Sequence, residues 1–382
     1  MATGSPRVDV PRYRIEPDLH LCFDDTLYHS AEFDAIARMN DTLHHATETI
    51  LLDIPELESQ SHLQSLQSGE AEMAASCREI TNPFVIKRPN GEVLLHYHPS
   101  YFHNQTVRDT SKAIETLTSS TPKFRFTPPS TNDARHGQVN IVEYTNRYGA
   151  GNFGTLHCAM WMEQAKPDGQ PCLSREMISG SRVVHHCATL LRNLNSSIDD
   201  INPLYAATAP RRWRISVDQC NKMLKYLPEF NLIWQHRIHA HSSVAVSANL
   251  PILLHRDMKD AHHGLTALYC TGQFSEAWLV IPGAGIKLRF RPEDCILMNT
   301  HVLAHYVLRK ELVNETFYVF SWFNHQTVLD WVMGNHQHRV DMHRAVKAKV
   351  DRRLRKVEKY QSRLEGAGGD LHSSNLKRVR AE

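Results

Sequence analysis

The chain of 382 residues contains no run of about 18 apolar residues, the least that a membrane-spanning helix requires. Its opening stretch, MATGSPRVDVPRYRIEPD, has no basic start followed by an apolar segment, so no secretory leader is read there. These absences point to an intracellular protein, nuclear or cytoplasmic, with no membrane partner. Eight cysteines are scattered without a Cys-x-x-Cys pair, which excludes a zinc ribbon, a thioredoxin-type motif and a disulfide framework. Reduced, mostly buried thiols are expected instead. Neither sign of charge is in excess: the net charge of +2 gives no global case for a polyanionic partner. With 41% hydrophobic and 22% charged residues, the composition is that of a soluble globular protein rather than a disordered or fibrous one.

The chain does have 25 histidines, and basic blocks near its end. Residues 343–359, HRAVKAKVDRRLRKVEK, and KRVR at 377–380 could meet the phosphates of DNA or RNA or serve as a nuclear import signal. A solvated basic helix fits the same residues. Three regions are expected. Residues 1–75 form an N-terminal extension, partly disordered, in which ESQSHLQSLQSGEAE reads as a linker or an exposed helix. Residues 76–330 form the main domain, and 331–382 a basic helical tail. Oligomeric state is not legible.

Within the main domain, PFVIKRPNGEVLLHYH reads as a hairpin, because Asn90-Gly91 suits a turn that needs positive φ. Residues 104–137, rich in Ser, Thr, Pro and Asn, read as a long loop or a poorly ordered insert. Residues 181–195 carry apolar residues at helical spacing. Ser216-Val217-Asp218-Gln219 reads as the capping box of a second helix that Pro228 stops. From about residue 242 the pattern changes to short extended runs: SSVAVSA, GLTALYC, AWLVI, IKLRF, CILMN, LAHYV and TFYVFSWF. With the segment carrying His255, eight strands are expected, in an α+β fold with a mainly β core closed as a barrel or sandwich.

Non-haem Fe(II) oxygenases hold their metal with two histidines and one carboxylate and leave the other positions open. In an extended segment residues i and i+2 point the same way, so His255 and Asp257 in LLHRDMKD can chelate one ion. The tripeptide alone is weak, since this many His and Asp residues produce about one His-x-Asp by chance. Its place at the start of the β-rich run gives it weight. His305, among the apolar residues of VLAHYVL, is the expected second histidine. His301, after Asn299-Thr300, is the rival and reads as a loop residue. His236, His239 and His241, and His96 and His98, imitate metal spacing but lack a carboxylate partner; His336 and His338 adjoin the basic tail.

HRDMKD at 255–260, TGQFSEAWLVIP at 271–282, GIKLRFRPED at 285–294 and LAHYV at 303–307 together resemble, in order and spacing, the TET/JBP-like branch of the 2-oxoglutarate and Fe(II)-dependent dioxygenases, particularly its fungal members. The resemblance covers about residues 240–325. It implies a double-stranded β-helix, the cupin-like jelly roll, with helices supporting one sheet. It also implies Fe(II) on His255, Asp257 and His305, with O2 and 2-oxoglutarate as co-substrates. Asp260, the second acidic residue of the pattern, would lie at the active-site mouth and order substrate or loop. The family usually begins its last barrel strand with an Arg for the distal carboxylate of 2-oxoglutarate. Glu315 and Thr316 stand there in this chain, so Arg309, Lys310 or Arg289 would have to supply the cation. Glu276-Ala277 replaces a family Gly-Gly. The implied reaction is oxidation of a C–H bond, first on a methylated base in DNA or RNA. A hydroxylase of a small metabolite or protein side chain, and an inactive barrel serving as a binding module, are the alternatives. Trp278, Tyr269 and Trp322 could stack on a base but read first as core.

Overall fold

The computed structural model describes residues 48–52, 59–120, 124–130, 133–137, 139–162, 171–227, 239–310 and 315–334. The chain begins with β1 (Glu48–Leu51), α1 (Gln60–Leu66), α2 (Glu70–Ser76), β2 (Arg78–Ile80), β3 (Phe84–Lys87) and β4 (Val93–His98). Next come α3 (Asn104–Thr118), α4 (Ile141–Tyr148), β5 (Gly154–Cys158), β6 (Met160–Met162) and β7 (Pro171–Leu173). Four helices follow: α5 (Arg175–Ile178), α6 (Ser181–Asn193), α7 (Asn195–Thr208) and α8 (Pro210–Tyr226). The strands β8 (Ser243–Ala248), β9 (Ile252–His255), β10 (Thr266–Gln273), β11 (Ala277–Ile281), β12 (Ile286–Arg289), β13 (Cys295–Met298), β14 (His305–Arg309) and β15 (Thr316–Phe323) complete the β core, before α9 (Gln326–Met333).

Apart from the β11–β12 hairpin, successive strands of these last eight alternate between two facing sheets. One sheet has the order β1-β3-β4-β13-β10-β15-β8-β5, the other β2-β12-β11-β14-β9. Within the eight, β8-β15-β10-β13 and β9-β14-β11-β12 pair antiparallel throughout. That interleaving is the double-stranded β-helix, so the expected fold and all eight strands are found. The strands read as almost unbroken apolar runs because both faces are buried. On β10, Leu268 and Cys270 point between the sheets while Ala267 and Tyr269 face the helices. On β11, Leu279 and Ile281 point inward while Trp278 and Val280 pack under Leu63 and Ala74 of α1 and α2. The molecule is thus layered: helices on the outer face of the large sheet, the inter-sheet core, then α1 and α2 on the small sheet.

Upstream expectations are met in part. The β3–β4 hairpin turns where expected, with Gly91 at φ 84° and closing bonds from Arg88 N to Glu92 O (2.8 Å) and Gly91 N to Arg88 O (2.9 Å). The stretch 104–137, expected as loop or insert, instead holds the 15-residue α3. Its buried stripe is Thr106, Thr110, Ala113, Ile114 and Leu117, a helical spacing filled partly by small and hydroxylated residues, so apolar patterning hides it. The helix expected to open at Ser216 begins at Pro210, a favoured first-turn residue, and Ser216 is a buried interior residue near the Tyr205 hydroxyl. Pro228 lies outside the described residues. Helix α7 was not expected at all: residues 201–208 are buried all round, which leaves no polar stripe, and Pro203 sits inside it. Six of the seven described cysteines are buried. No described helix is long and apolar enough to cross a membrane. The basic blocks at 343–359 and 377–380, and His236, His336 and His338, lie outside the described residues.

Gly272 pairs with Phe317 one residue before the β10–β15 ladder ends, at φ 130°, and a Cβ there would collide with the Thr316 carbonyl oxygen. Gly272→Ala is therefore expected to cost about 2 kcal/mol or more in a denaturant titration, the scale of a backbone forced into a region only glycine occupies. A loss under about 0.5 kcal/mol would show that the strand ends can relax.

Candidate metal centre

The small sheet sets the two histidines side by side. In the antiparallel pair β9–β14, His305 stands directly opposite His255, and cross-strand neighbours lie close enough for their side chains to share a ligand. The ring centroids are 4.4 Å apart. The strand ends at His255, and the chain turns so that Asp257 comes back over the pair, fixed by Asp257 N to Thr300 O (3.0 Å) and Asp260 N to Asp257 O (2.9 Å). Asp257 Oδ1 is 3.7 Å from His255 Nε2, and Oδ2 is 3.9 Å from His305 Nε2. One ligand atom from each of the three residues lies within 4.8 Å of the others, and among the described residues this is the sole such group of three or more.

Both imidazoles are aimed by the same device. His255 Nδ1 lies 2.6 Å from Leu253 O, and His305 Nδ1 lies 3.0 Å from Leu303 O, in each case the carbonyl two residues back. A carbonyl only accepts, so each Nδ1 carries the proton and each Nε2 presents its lone pair toward Asp257. Burial favours this neutral state. It pushes His255 down to about 3, with His305 adding to the shift, and lowers His305 as well. Burial alone would raise the Asp257 carboxyl, but the attraction of His255 and His305 whenever either takes a proton, together with the permanent charge of Arg135 4.0 Å away, outweighs it and holds Asp257 below its ordinary value. Two neutral nitrogens and one ionised carboxylate form the donor set of a divalent transition-metal site with open positions.

The group stands on the wall of a cavity of about 410 Å³ between the sheets. Leu268, Leu279, Phe290, Val307 and Val319 line its depth. Its mouth has Asp133, Arg135, His136, His157, Trp161, Lys259 and His325. The ring of Trp161 meets His325 at 5.0 Å and His157 at 5.4 Å, both edge-on. None of these mouth residues except Lys259 lies near the His-x-Asp motif in sequence. Residues 133–137 sit in the Ser/Thr/Pro-rich stretch and Trp161 in an unremarkable strand, so no sequence signal marked them.

The other candidates separate clearly. His301 bonds the Met258 carbonyl at 3.2 Å and stacks near His262, away from the group. Asp260 is buried, and its Oδ2 accepts from Thr300 Oγ1 (2.6 Å) and Thr266 Oγ1 (3.0 Å). Burial, then repulsion from Asp257, raise it well above the usual carboxylate range. Arg289 points away from the cavity, on the opposite parity from Leu288 and Phe290, 3.8 Å from Asp294. Lys310 is exposed. Arg309 differs: on β14 it shares the inward face with His305 and Val307, and its guanidinium lies 4.9 Å over the ring of Phe317 on the facing sheet. It is the one Lys or Arg on an inward position of the eight strands. Trp322 and Tyr269 are core, bonded Nε1 to hydroxyl at 3.1 Å, and Trp278 packs outside the small sheet. His96 bonds Thr208 and His241 bonds Leu265 O; both are buried polar contacts of the core.

No family model matches the chain, and no curated protein matches it. Solved structures do show similarity. NgTET1 in complex with 5mC DNA is 12% identical, with 77% of this chain and 89% of that one covered and a TM-score of 0.41. A prolyl hydroxylase from Trichoplax adhaerens, in complex with a hypoxia inducible factor peptide fragment, is 10% identical over 73% and 98%, TM-score 0.31. A Pseudomonas putida prolyl-4-hydroxylase is 8% identical over 68% and 98%, TM-score 0.27. The fold stands on the strand order and the site on its own geometry.

The buried neutral histidines give a pH test of the metal-free protein. His255 at about 3, and His241 and His325 at about 4, sit below the value of about 6.5 that the unfolded chain has. Between these limits the unfolded chain binds more protons, so stability is complete above pH 6.5 or so and is lost as pH falls. These three imidazoles alone should make unfolding at pH 5 take up about three more protons than at pH 8, measured as the change in the pH slope of unfolding free energy between wild type and a variant with all three histidines replaced. An unchanged slope would mean the imidazoles are charged in the folded state.

Proposed function

We propose that the chain is a non-haem Fe(II) dioxygenase that oxidises a C–H bond using O2, with 2-oxoglutarate as the second co-substrate. The observation that carries this reading is the convergence of His255 Nε2, His305 Nε2 and the Asp257 carboxylate on the wall of an inter-sheet cavity, with each imidazole fixed in its ligating tautomer. Fe(II) held there would supply O2 activation driven by two electrons from the co-substrate. The protein's own contribution is to bind, orient and exclude water. A cavity of about 410 Å³ accommodates a ten-atom dicarboxylate beside a substrate group. Its apolar depth would hold the co-substrate's methylenes, and Arg309, two residues beyond the cavity-lining Val307 on the same strand face and itself just outside the lining, would meet the distal carboxylate. Arg309 is accordingly assigned this role over Lys310 and Arg289.

Asp260 is assigned a positioning role. With both hydroxyls of Thr266 and Thr300 on one oxygen, it ties the turn carrying Asp257 to the start of β10 and to the turn before His305. The substrate taken first is a methylated base in DNA or RNA, supported by the sequence resemblance and by the basic blocks at 343–359 and 377–380, with intracellular, nuclear or cytoplasmic location to match. Trp161 and His157 give the mouth the aromatic wall such a planar group requires.

Succinate release from 2-oxoglutarate with Fe(II) and O2 tests the assignment. Wild type should turn over, His305→Ala should lose bound iron, and His301→Ala should keep it. Arg309→Gln should raise the KM for 2-oxoglutarate about 10- to 100-fold, the worth of a charge-assisted hydrogen bond. Lys310→Gln and Arg289→Gln should stay within about threefold. Bound iron without succinate would sink 2-oxoglutarate as co-substrate and favour another reductant. Wild type that binds no iron would leave the barrel a binding module.

A further inference from the structure

Strand β9 carries His255 and leads into Asp257, yet it is only four residues long and lies at the edge of its sheet. Its single strand neighbour is β14, and that ladder is irregular between His305 and Val307. So short and broken a ladder cannot by itself fix a strand to the few tenths of an ångström that ligand geometry demands. The free edge of β9 is closed by groups that belong to no strand. Leu253 N donates to Arg135 O (2.7 Å), and Leu254 N donates to the Glu70 carboxylate (2.6 Å). Gln67 Nε2 donates both to Leu254 O (3.0 Å) and to Ala134 O (2.9 Å), which joins the mouth loop to the same point.

The brace also reaches the second histidine strand. Tyr306, the residue after His305, donates its hydroxyl to the Glu70 backbone oxygen at 2.6 Å. Leu254 and Tyr306 pack in one buried cluster with Leu63, Ala74 and Trp278. Glu70 therefore touches, through different atoms, the residue before His255 and the residue after His305. It opens α2, far upstream of both strands, in a segment whose sequence gives no hint of the metal.

Resting on the metal assignment above, we propose that Glu70, seconded by Gln67, is a positioning residue for the metal centre: the α1–α2 segment sets the separation of His255 and His305 and hence the affinity and symmetry of the bound ion. Groups that orient metal ligands from behind typically change affinity by about 10- to 100-fold when removed.

The test uses the full chain with Co(II) alone as a spectroscopic stand-in for Fe(II), read by the visible absorption band and by titration, alongside melting of the metal-free protein. Glu70→Ala should weaken Co(II) binding at least about tenfold and alter the band, while Glu70→Gln, which keeps an acceptor for Leu254 N, should stay within about threefold of wild type. Tyr306→Phe, which removes one hydroxyl from the same brace, should shift affinity in the same direction by about threefold and guards against a Glu70→Ala variant that fails to fold. Unchanged affinity and band in Glu70→Ala overturn the proposal. Equal weakening in the Ala and Gln variants, in step with lost melting temperature, overturns it too, because that is a stability effect. If wild type takes up no Co(II), the metal assignment itself fails, an outcome distinct from the other two.

Discussion

Everything the site can do depends on one antiparallel pairing, His255 opposite His305 across β9 and β14. A slip of one residue would turn one imidazole to the outer face, where Leu254 and Tyr306 now pack, since strand side chains alternate with a period of two. The register is held by that alternation: Leu254 and Tyr306 are needed in the outer cluster with Trp278 and Leu63, which leaves the flanking histidines inside. Apolar burial on the far face of the sheet thus specifies polar geometry on the near face. The metal ligands contribute little to selecting this register, because two buried imidazoles and a carboxylate are costly to desolvate without an ion.

That cost explains the charge arrangement around the group. The imidazoles are kept neutral by burial, and Asp257 is kept ionised by its neighbours, so the metal-free protein already holds the protonation state that a divalent ion needs. Arg135 supplies the positive charge nearest the carboxylate and is itself held by Asp133, with contacts of 3.4 Å. A dication would take over the role of Arg135 toward Asp257. The mouth is consequently where the charge balance changes most on metal loading, while the apolar depth is indifferent to it.

How much of this the sequence disclosed follows from what each element buries. The eight barrel strands were legible because strands buried on both faces become apolar runs bounded by Gly, Pro and His, a texture they share with the β3–β4 hairpin. The convergence of His255, Asp257 and His305 was legible for a different reason: i and i+2 in an extended segment, followed by a histidine inside an apolar run. Helix α3 was hidden because its buried stripe uses Thr106, Thr110 and Ala113, and α7 because its second half, residues 201–208, is buried all round. The mouth residues Asp133, Arg135 and Trp161 were hidden because their proximity to Asp257 arises from loop packing, to which no periodicity corresponds. Arg309 was named only as one of three cations. Its distinction is a matter of parity, since Arg309 follows His305 by an even number of positions while Arg289 follows Leu288 by one.

Asp257 and Asp260 show the same fold giving two carboxylates opposite characters three residues apart. Asp257 faces the imidazoles and Arg135 and is held ionised; Asp260 points to two hydroxyls and is driven toward its neutral form by burial and by Asp257 itself, which outweigh the pull of Arg135. Where two titratable groups are pushed apart in this way, their roles are usually divided as well. A neutral acid that accepts two hydroxyl bonds makes a poor competitor for a divalent ion, so its presence beside the triad does not add a fourth protein ligand. The open side of the metal position is then bounded by the cavity and its mouth rather than by protein carboxylates, which is the condition for two co-substrates to reach one ion.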